Sequence, residues 1–268
     1  LQGDYNHVYE PAGGALMPVA AALAASPGVG KGTRIAMIDG GLASHPSLGR
    51  AGIEQRGFAG PAQPTGHGTA VGSLLVGDQG PFRGAARGAE LFVGDVYGGS
   101  PAAGSATTIV RALGWAAAKK PAVINISLVG PSNRAMARAI AALQRRGIAV
   151  VAAVGNDGPA APAVFPASYP GVVAVTGVDS GDRALREAGR ATHLDFPAPG
   201  ADLVAALPGK GFTPVRGTSF AAPFVAARLA ATGSMAGLPA EAVPGKGKVG
   251  RGIVCRSCDV PPRAVGLK

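Results

Sequence analysis

Apolar runs of strand length recur along the chain, and within each run polar residues do not alternate with apolar ones. Such runs are typical of strands that are buried on both faces of a sheet. The pattern therefore predicts six buried strands, at residues 34–38, 91–96, 123–128, 148–154, 172–178 and 203–207.

Helical periodicity separates several of these runs. In two segments the apolar residues share one face, and Ser132 or Asn133 can cap the second segment while Gly147 can end it. Strands that alternate with helices predict an α/β fold with a mostly parallel sheet and helices on both faces. Ligands of such sheets bind beyond the carboxyl ends of the strands. The apolar faces comprise Ile109, Val110, Leu113 and Ala117 in the first segment and Met136, Ile140 and Leu143 in the second.

The composition supports a folded chain. Glycine and proline, 43 and 23 of 268 residues, make up about a quarter of the sequence, a share at which disorder is suspected. The hydrophobic content of 47%, with only 15% charged residues, can nevertheless bury a sizeable core. We predict one domain at residues 1–232. Because glycine and proline interrupt the helical pattern from Gly233 onward, residues 233–268 are expected to form an irregular basic segment that completes or trails this domain.

The formal net charge of +10 does not indicate a nucleic-acid partner, because the basic residues are scattered and lack interleaved aromatic residues that stack on bases. No apolar stretch reaches the roughly 18 to 20 residues of a membrane span. The nearest one, residues 14–25, is short, contains Pro18, and follows Asp4 and Glu10 instead of a basic stretch. We therefore do not expect it to be a signal peptide.

Three polar residues stand in apolar surroundings. Asp39 directly follows the first predicted strand, His67 begins a helix of small residues, and Ser219 lies at the start of an apolar helix. Each has a structural alternative, since an aspartate can cap a turn, a histidine can be structural, and a serine can be a helix N-cap. Together they favour nucleophilic acyl transfer, with serine as nucleophile, histidine as base, and aspartate as the residue that orients the imidazole.

The motifs around these residues resemble those of subtilisin-like serine peptidases, the subtilase family. Asp39-Gly-Gly is similar to the family's Asp-Thr/Ser-Gly, residues 66–69 match its His-Gly-Thr, and residues 217–223 resemble its Gly-Thr-Ser-Met-Ala-x-Pro. Asp, His and Ser also follow one another in the order found in subtilisin. The resemblance runs from about residue 16 to residue 231. It implies a three-layer subtilisin-like sandwich and a serine endopeptidase with Asp39, His67 and Ser219 as its catalytic triad.

The resemblance also implies an oxyanion hole and a peptide-binding cleft. Asn156 would donate to the oxyanion together with the backbone N–H of Ser219, although an asparagine here could also be a turn residue tolerant of positive φ. Val164 stands where many relatives have glycine, so we expect a shallow apolar pocket for P1, the residue before the cleaved bond. This pocket would favour Ala, Val or Leu over Phe or Tyr. The expected substrate-binding residues are Ser127, Leu128, Val129, Gly130, Ala152, Gly155 and Val164.

No metal or organic cofactor is expected; structural calcium is possible, but the sequence does not support it. Where relatives commonly bind calcium this chain offers only Asp78 and Glu90 as acids, whereas calcium needs six to eight oxygens. Cys255 and Cys258 could form a small-loop disulfide or remain free thiols, and they are too few for a zinc site.

The expected partners are polypeptide substrates, and a pro-segment or a protein inhibitor could also bind. The resemblance suggests a secreted or periplasmic protein. The competing function is a catalytically silent peptide-binding module on the same fold, and esterase-like acyl transfer would use the same machinery.

Overall fold

The structure is a computed structural model that describes residues 4–12, 28–29, 31–100, 104–209, 211–247 and 249–267. The apolar stretch at residues 14–25 and the expected start of the family resemblance at residue 16 lie outside these ranges. The strands are β1 Glu10–Pro11, β2 Arg34–Asp39, β3 Gly52–Gly57, β4 Asp78–Gln79, β5 Phe82–Arg83, β6 Glu90–Asp95, β7 Val123–Ile126, β8 Leu128–Val129, β9 Ala149–Ala153, β10 Val173–Val178, β11 Phe196–Pro199, β12 Leu203–Leu207 and β13 Gly211–Val215. The α-helices are α1 Gly66–Val76, α2 Ala106–Ala118, α3 Arg134–Arg145, α4 Thr218–Thr232 and α5 Leu238–Glu241, and short 3-10 helices cover Pro46–Leu48 and Pro262–Val265.

Seven parallel strands form the central sheet, in the order β11-β10-β9-β7-β2-β6-β3. Strands β3 and β6, which come next in the chain, lie on one side of β2 in the sheet. The later strands β7, β9, β10 and β11 lie on the other side. Strand β2 therefore lies where the direction of sheet growth reverses, and open α/β sheets bind their ligands at the carboxyl end of such a position. Asp39 is the last residue of β2.

Helices cover both faces of this sheet. Successive side chains of a strand point to opposite faces, so Ile35 and Met37 of β2 join one hydrophobic core, whereas Ala36 and Ile38 join the other. Helices α1 and α4 fill the first core, and α2 and α3 fill the second. This arrangement confirms the predicted α/β sandwich of three layers with a mostly parallel sheet.

Two of the predicted strands pair differently from the expected parallel arrangement. The run at 123–128 is divided, because β7 ends at Ile126 and β8 pairs antiparallel with β1, outside the central sheet. The run at 203–207 is a strand, but the expectation that it belongs to the parallel sheet is wrong. It forms an antiparallel hairpin with β13 and packs on α1, where the Ala206 N–H donates to the Ser73 hydroxyl at 3.0 Å. Its burial comes from helix packing, which a sequence pattern cannot distinguish from burial in a sheet.

The C-terminal residues pack on β11 and β12. The Val254 N–H donates to the Pro197 carbonyl at 2.9 Å, and the Val204 N–H donates to the Val260 carbonyl at 2.8 Å. Cys255 and Cys258 form a disulfide bond, the first of the two alternatives considered for them. The position at which the catalytic domain ends stays a prediction.

Within the described residues, no helix has the length and apolar character that crossing a membrane requires.

Candidate active site

An aspartate and a histidine meet at the carboxyl end of β2. The Asp39 side chain is buried, and its Oδ1 lies 2.9 Å from Nδ1 of His67, the second residue of α1. The same oxygen accepts the Gly40 N–H at 2.7 Å. When Nδ1 carries the proton that this bond requires, Nε2 of the imidazole is left as an acceptor.

Close packing of α1 against the loop after β2 requires glycine at two positions. A Cβ on Gly68 would lie 2.2 Å from the Gly40 carbonyl oxygen. A Cβ on Gly40, where the family pattern has Thr or Ser, would lie 2.2 Å from the Thr65 hydroxyl oxygen. Thr65 caps α1 by accepting the Gly68 N–H at 2.9 Å. The glycine at position 40 therefore leaves the space that the Thr65 side chain occupies.

Ser219 is the second residue of α4 and is fully buried. Gly217 is the N-cap of this helix, so the alternative that Ser219 serves as the N-cap is wrong. Pro223 lies inside α4 and has no N–H for the carbonyl of Ser219, four residues earlier. The hydroxyl of Ser127 donates to that carbonyl instead, at 2.9 Å.

The hydroxyl of Ser219 donates to the backbone carbonyl of Ser127 at 3.1 Å. His67 Nε2 is buried and has no hydrogen-bond partner within the described part of the chain. The imidazole packs against the ring of Phe220, the residue after Ser219, with centroids 5.5 Å apart. The histidine thus lies beside the turn that carries Ser219, but the serine hydroxyl is turned to Ser127 and not to the imidazole.

Asn156 follows β9 and is oriented by the start of α4. Its Oδ1 accepts the Thr218 N–H at 3.0 Å, and the Thr218 hydroxyl donates to the Gly155 carbonyl at 3.1 Å. The positive φ of 81° belongs to Gly155 and not to Asn156, so the alternative role of Asn156 as a positive-φ turn residue is not used. Because Oδ1 is engaged as an acceptor, Nδ2 is directed as a donor into the space beside Ser219.

The space beside Ser219, Asn156 and β8 is the candidate substrate cleft, and residues 9–12 of the chain lie in it. We call residues 4–12, which lead into this space, the cleft segment. The Ala12 carbonyl oxygen accepts hydrogen bonds from Asn156 Nδ2 and, at 3.4 Å, from the backbone N–H of Ser219. The Ala12 N–H donates to the Ser127 carbonyl at 3.2 Å. Strand β1 continues this pairing along β8, with Pro11 opposite Leu128 and Glu10 opposite Val129.

Two valine side chains narrow the cleft in front of Gly155. A Cβ built on Gly155 would lie 3.5 Å from Val129 Cγ1 and 3.6 Å from Val164 Cγ2. A cavity of about 350 Å³ adjoins them, lined among others by Val8, Gly130 and Asp157. Of the expected substrate-binding residues, Ala152 lies inside the central sheet, where it is paired with Ile126 and Ala174 on the neighbouring strands.

An ion pair that the sequence analysis did not identify ties the start of α4 to the Asn156 loop. Arg216 Nε and Glu187 Oε1 are 2.7 Å apart, and a second Arg216 nitrogen lies 3.1 Å from Oε2. The Glu187 carbonyl accepts the Gly158 N–H at 2.9 Å. The two partners are distant in sequence and belong to no motif, so only the fold reveals this pair.

The residues considered for calcium do not fit such a site. Asp78 pairs with Arg83 at 3.0 Å. Within the described ranges, no group of three or more His, Cys, Asp or Glu side chains could hold a metal ion. The expectation that the protein works without a cofactor stays a prediction.

A buried Asp–His pair, a serine at the start of a helix and an amide donor, all on an α/β sandwich, are the arrangement of a serine hydrolase. The chain belongs, more narrowly, to the subtilase family, because residues 30–237 match the Peptidase_S8 model described as "Subtilase family". Subtilisin Savinase of Lederbergia lenta is 34% identical over 209 residues, which cover 75% of this chain and 76% of that protein. The major intracellular serine protease of Bacillus subtilis (strain 168) is 33% identical over 218 residues, 75% of this chain and 68% of that protein.

Other relatives are longer. The alkaline protease of Shouchella clausii is 34% identical over 209 residues, which cover 75% of this chain but only 54% of that protein. Among solved structures, a serine-to-alanine mutant of the PatA protease domain has a TM-score of 0.76 at 23% identity, covering 85% of this chain and 94% of that one. The prenylagaramide maturation protease PagA has a TM-score of 0.72 at 24% identity, with coverages of 82% and 90%. These likenesses establish a subtilisin-like fold.

Proposed function

We propose that the protein is a serine endopeptidase that cleaves polypeptides through an acyl-enzyme on Ser219. The observation that carries this proposal is the position of the Ala12 carbonyl, whose oxygen is bound by Asn156 Nδ2 and the Ser219 N–H. Two preorganised donors on one carbonyl oxygen form an oxyanion hole, and their hydrogen bonds strengthen when negative charge develops there. The cleft binds extended backbone along β8, which favours a polypeptide substrate.

The proposed reaction begins when the Ser219 hydroxyl turns from the Ser127 carbonyl to the unpaired Nε2 of His67. His67 takes the proton as Oγ attacks the substrate carbonyl, while Asp39 holds Nδ1–H and stabilises the imidazolium. Asn156 and the Ser219 N–H stabilise the oxyanion. His67 then gives the proton to the leaving amine, and the same imidazole activates the water that hydrolyses the acyl-enzyme.

We further propose that the enzyme prefers small or medium apolar residues at P1. The residue whose carbonyl lies in the oxyanion hole is alanine, and Val129 and Val164 narrow the space in front of Gly155. A panel of peptides that differ only at P1 should show faster cleavage after Ala, Val or Leu than after Phe or Tyr. Fastest cleavage after Phe would contradict this preference.

Labelling with a fluorophosphonate or sulfonyl fluoride probe separates the peptidase from a silent peptide-binding module. Because the cleft segment covers Ser219, the experiment uses the full chain together with its Tyr9→Ala variant, in which the segment is expected to bind more weakly. The peptidase predicts that Ser219 is labelled and peptides are hydrolysed, and that Ser219→Ala loses both. Peptide binding without labelling in either chain would favour the module.

Export of the protein to the cell exterior or the periplasm, a pro-segment and a protein inhibitor stay proposals. The relatives include subtilisins as well as a protease named as intracellular, so family membership leaves the compartment open. Fractionation of the producing cells, with probe labelling of each fraction, tests the proposed location.

A further inference from the structure

We infer that the protein binds a compact anion with two or more negative charges in a cavity at the amino ends of β2, β3 and β6. The cavity has a volume of about 350 Å³, and three basic residues, Lys31, Arg50 and Arg87, line it. This volume lies within the range of small-ligand sites in proteins. The candidate active site lies at the carboxyl end of β2, so the cavity is at the opposite end of the sheet. The inference therefore does not depend on the proposed peptidase function.

The lining of the cavity has an excess of positive charge. Within the part of the chain that the structure describes, none of the three basic residues forms an ion pair. Asp78 is the one acid in the lining, and its carboxylate pairs with Arg83 at 3.0 Å. Glu90 lies nearby, since its Cγ would be 3.7 Å from a Cβ on Gly52, but it does not line the cavity. Three positive charges thus face one negative charge that already has its own partner.

This charge distribution favours an anionic ligand of a particular chemistry. Clefts lined by charges of one sign attract counter-ions, because the low dielectric of the walls concentrates the field. Arg50 and Arg87 carry guanidinium groups, which bind carboxylate or phosphate oxygens through two parallel N–H groups, and Lys31 adds a point charge. A ligand with two or more negative charges would offset the excess. Phosphate and citrate are compact compounds that share this chemistry.

The loops that carry the basic residues are fixed by backbone hydrogen bonds. The Val29 N–H donates to the Arg87 carbonyl at 3.1 Å, and the Arg87 N–H donates to the Gly84 carbonyl at 3.2 Å. The Ala51 N–H, next to Arg50 in the chain, donates to the Leu48 carbonyl at 3.1 Å. Because the walls are already ordered, binding loses little conformational entropy of the backbone.

The C-terminal end of α1 adjoins the cavity at Val76. Unpaired carbonyl groups at such an end would disfavour an anion, since the helix dipole is negative there. In this protein the carbonyls of residues 73–75 accept the backbone N–H groups of Gly77, Ala85 and Ala86, at 2.8, 2.8 and 2.7 Å. Three of the last four carbonyls of α1 are therefore paired, which weakens their repulsion of an anion.

A bound anion would connect four segments of the chain that line the cavity, at residues 29–31, 50–52, 76–78 and 87–89. Folding brings these segments together, so an anion that binds only the folded form stabilises it. His67 lies nine residues before Val76 on α1, which is about 14 Å at the helical rise per residue. The anion should therefore stabilise the protein without occupying the substrate cleft.

Thermal unfolding of the Ser219→Ala chain tests the inference, in sodium phosphate or sodium citrate compared with sodium chloride at equal ionic strength. Phosphate or citrate should raise Tm in a saturable way, by roughly 5–10 °C at a hundredfold excess over its Kd. Isothermal titration calorimetry should show one site per chain. Tighter binding of phosphate would indicate a phosphorylated natural ligand, and tighter binding of citrate a polycarboxylate. A Tm that follows ionic strength alone, without a saturable heat of binding, would overturn the site.

Arginine substitutions with the same change of charge locate the site. Arg50→Gln and Arg87→Gln should each raise Kd roughly tenfold or more, because each removes charge-assisted hydrogen bonds. Arg50→Lys keeps the charge and should have a smaller effect. Arg138→Gln, at an exposed position of α3 that does not line the cavity, should leave Kd unchanged. Equal weakening by Arg138→Gln and Arg50→Gln would overturn the location of the site.

The stability of the variants in chloride separates ligand binding from a structural role. Lys31 and Arg50 are exposed, so Lys31→Gln and Arg50→Gln should fold even if Arg87→Gln does not. Because each removes one of several like charges around the cavity, both should be at least as stable as the parent in chloride and should gain less from phosphate. Variants that lose the same stability in chloride and in phosphate, with Kd unchanged, would overturn the anion site.

Discussion

The amide of Asn156 is oriented by one hydrogen bond on its oxygen, from the Thr218 N–H. Asn156→Ala is expected to lower kcat by roughly 10²–10³, the range known from removing such a donor in subtilisin, with little change in KM, because substrate backbone still pairs with β8. Steady-state kinetics on a peptide substrate measure both constants. Asp157→Asn, on the cavity wall, is the control, and an equal loss in both variants would argue against a specific oxyanion role.

We expect the proposed P1 preference to depend on the side chain at position 164. Val164→Gly should deepen the pocket and raise kcat/KM for Phe relative to Ala at P1 by about tenfold or more, since pocket contacts of one or two methyl groups are worth this much. Competition between two peptides in one reaction measures the ratio directly. Ala160→Gly, at an exposed position four residues earlier that does not line this cavity, adds the same backbone freedom without opening the pocket. If both variants shift the ratio equally, Val164 does not set the preference.

At the scale of elements, Ser127, which lies between β7 and β8, exchanges two hydrogen bonds with Ser219 of α4. Pro223 cannot donate to the Ser219 carbonyl, and the Ser127 hydroxyl supplies that bond. Ser127→Ala should therefore destabilise the protein by about 1–3 kcal/mol, because it leaves a buried carbonyl unpaired. Urea unfolding of the Ser219→Ala chain, which does not digest itself, measures this effect.

A second substitution tests the cause of that loss. Pro223→Ala restores an N–H within α4, so Ser127→Ala should destabilise the Pro223→Ala chain less than it destabilises the parent. Strict additivity of the two substitutions would show that the proline does not create the need for the Ser127 hydroxyl.

The sequence predicts an element best where one physical cause decides it. Strands β2, β9 and β10 are largely apolar in their interiors because helices cover both of their faces. The edge strands β3 and β11 were not predicted, since β3 is largely polar and exposed and β11 contains two prolines, which are tolerated at an edge.

The candidate site likewise contains residues that the sequence predicts and residues that it does not. Asp39, His67, Asn156 and Ser219 stand in motifs whose chemistry can be read from residue types and order. The close approach of Thr65 to Gly40 and the pairing of Glu187 with Arg216 are contacts that only the fold creates, and the occupation of the cleft by Tyr9 and its neighbours depends on strand register. These contacts leave no periodicity or motif in the sequence.

At the scale of the whole molecule, the C-terminal residues carry a half-buried acid, Asp259. Burial raises the pKa of Asp259 from 3.8 to about 6, with the nearby Asp202 adding to the effect and Arg256 opposing it. Folding therefore favours the protonated form. Stability that is present below about pH 4 should be lost as pH rises through 6, by at most about 3 kcal/mol.

Asp259→Asn in the Ser219→Ala chain is expected to remove this loss and to be more stable than its parent at pH 8. Urea unfolding at pH values from 4 to 8 checks it, with Glu90→Gln at an exposed position as the control. The Asp182–Arg256 pair acts in the opposite direction and at lower pH, because its hydrogen bond lowers the pKa of Asp182. Parallel stability curves for Asp259→Asn and its parent would contradict the prediction.

The two edges of the central sheet are protected in different ways. The β3 edge carries charge, with Glu54 paired to Lys119 at 2.6 Å, whereas the β11 edge is covered by residues that follow Gly250, through the bond from Val254 to Pro197. Removing residues 249–268 would uncover backbone groups beside Phe196, and an unprotected strand edge invites pairing with another molecule. We expect the Ser219→Ala chain that lacks residues 249–268 to aggregate on refolding, whereas the Ser219→Ala chain that keeps them should not. Light scattering measures the aggregation of both. Residues 249–268 would then prevent self-association of the protein, a role that is separate from catalysis.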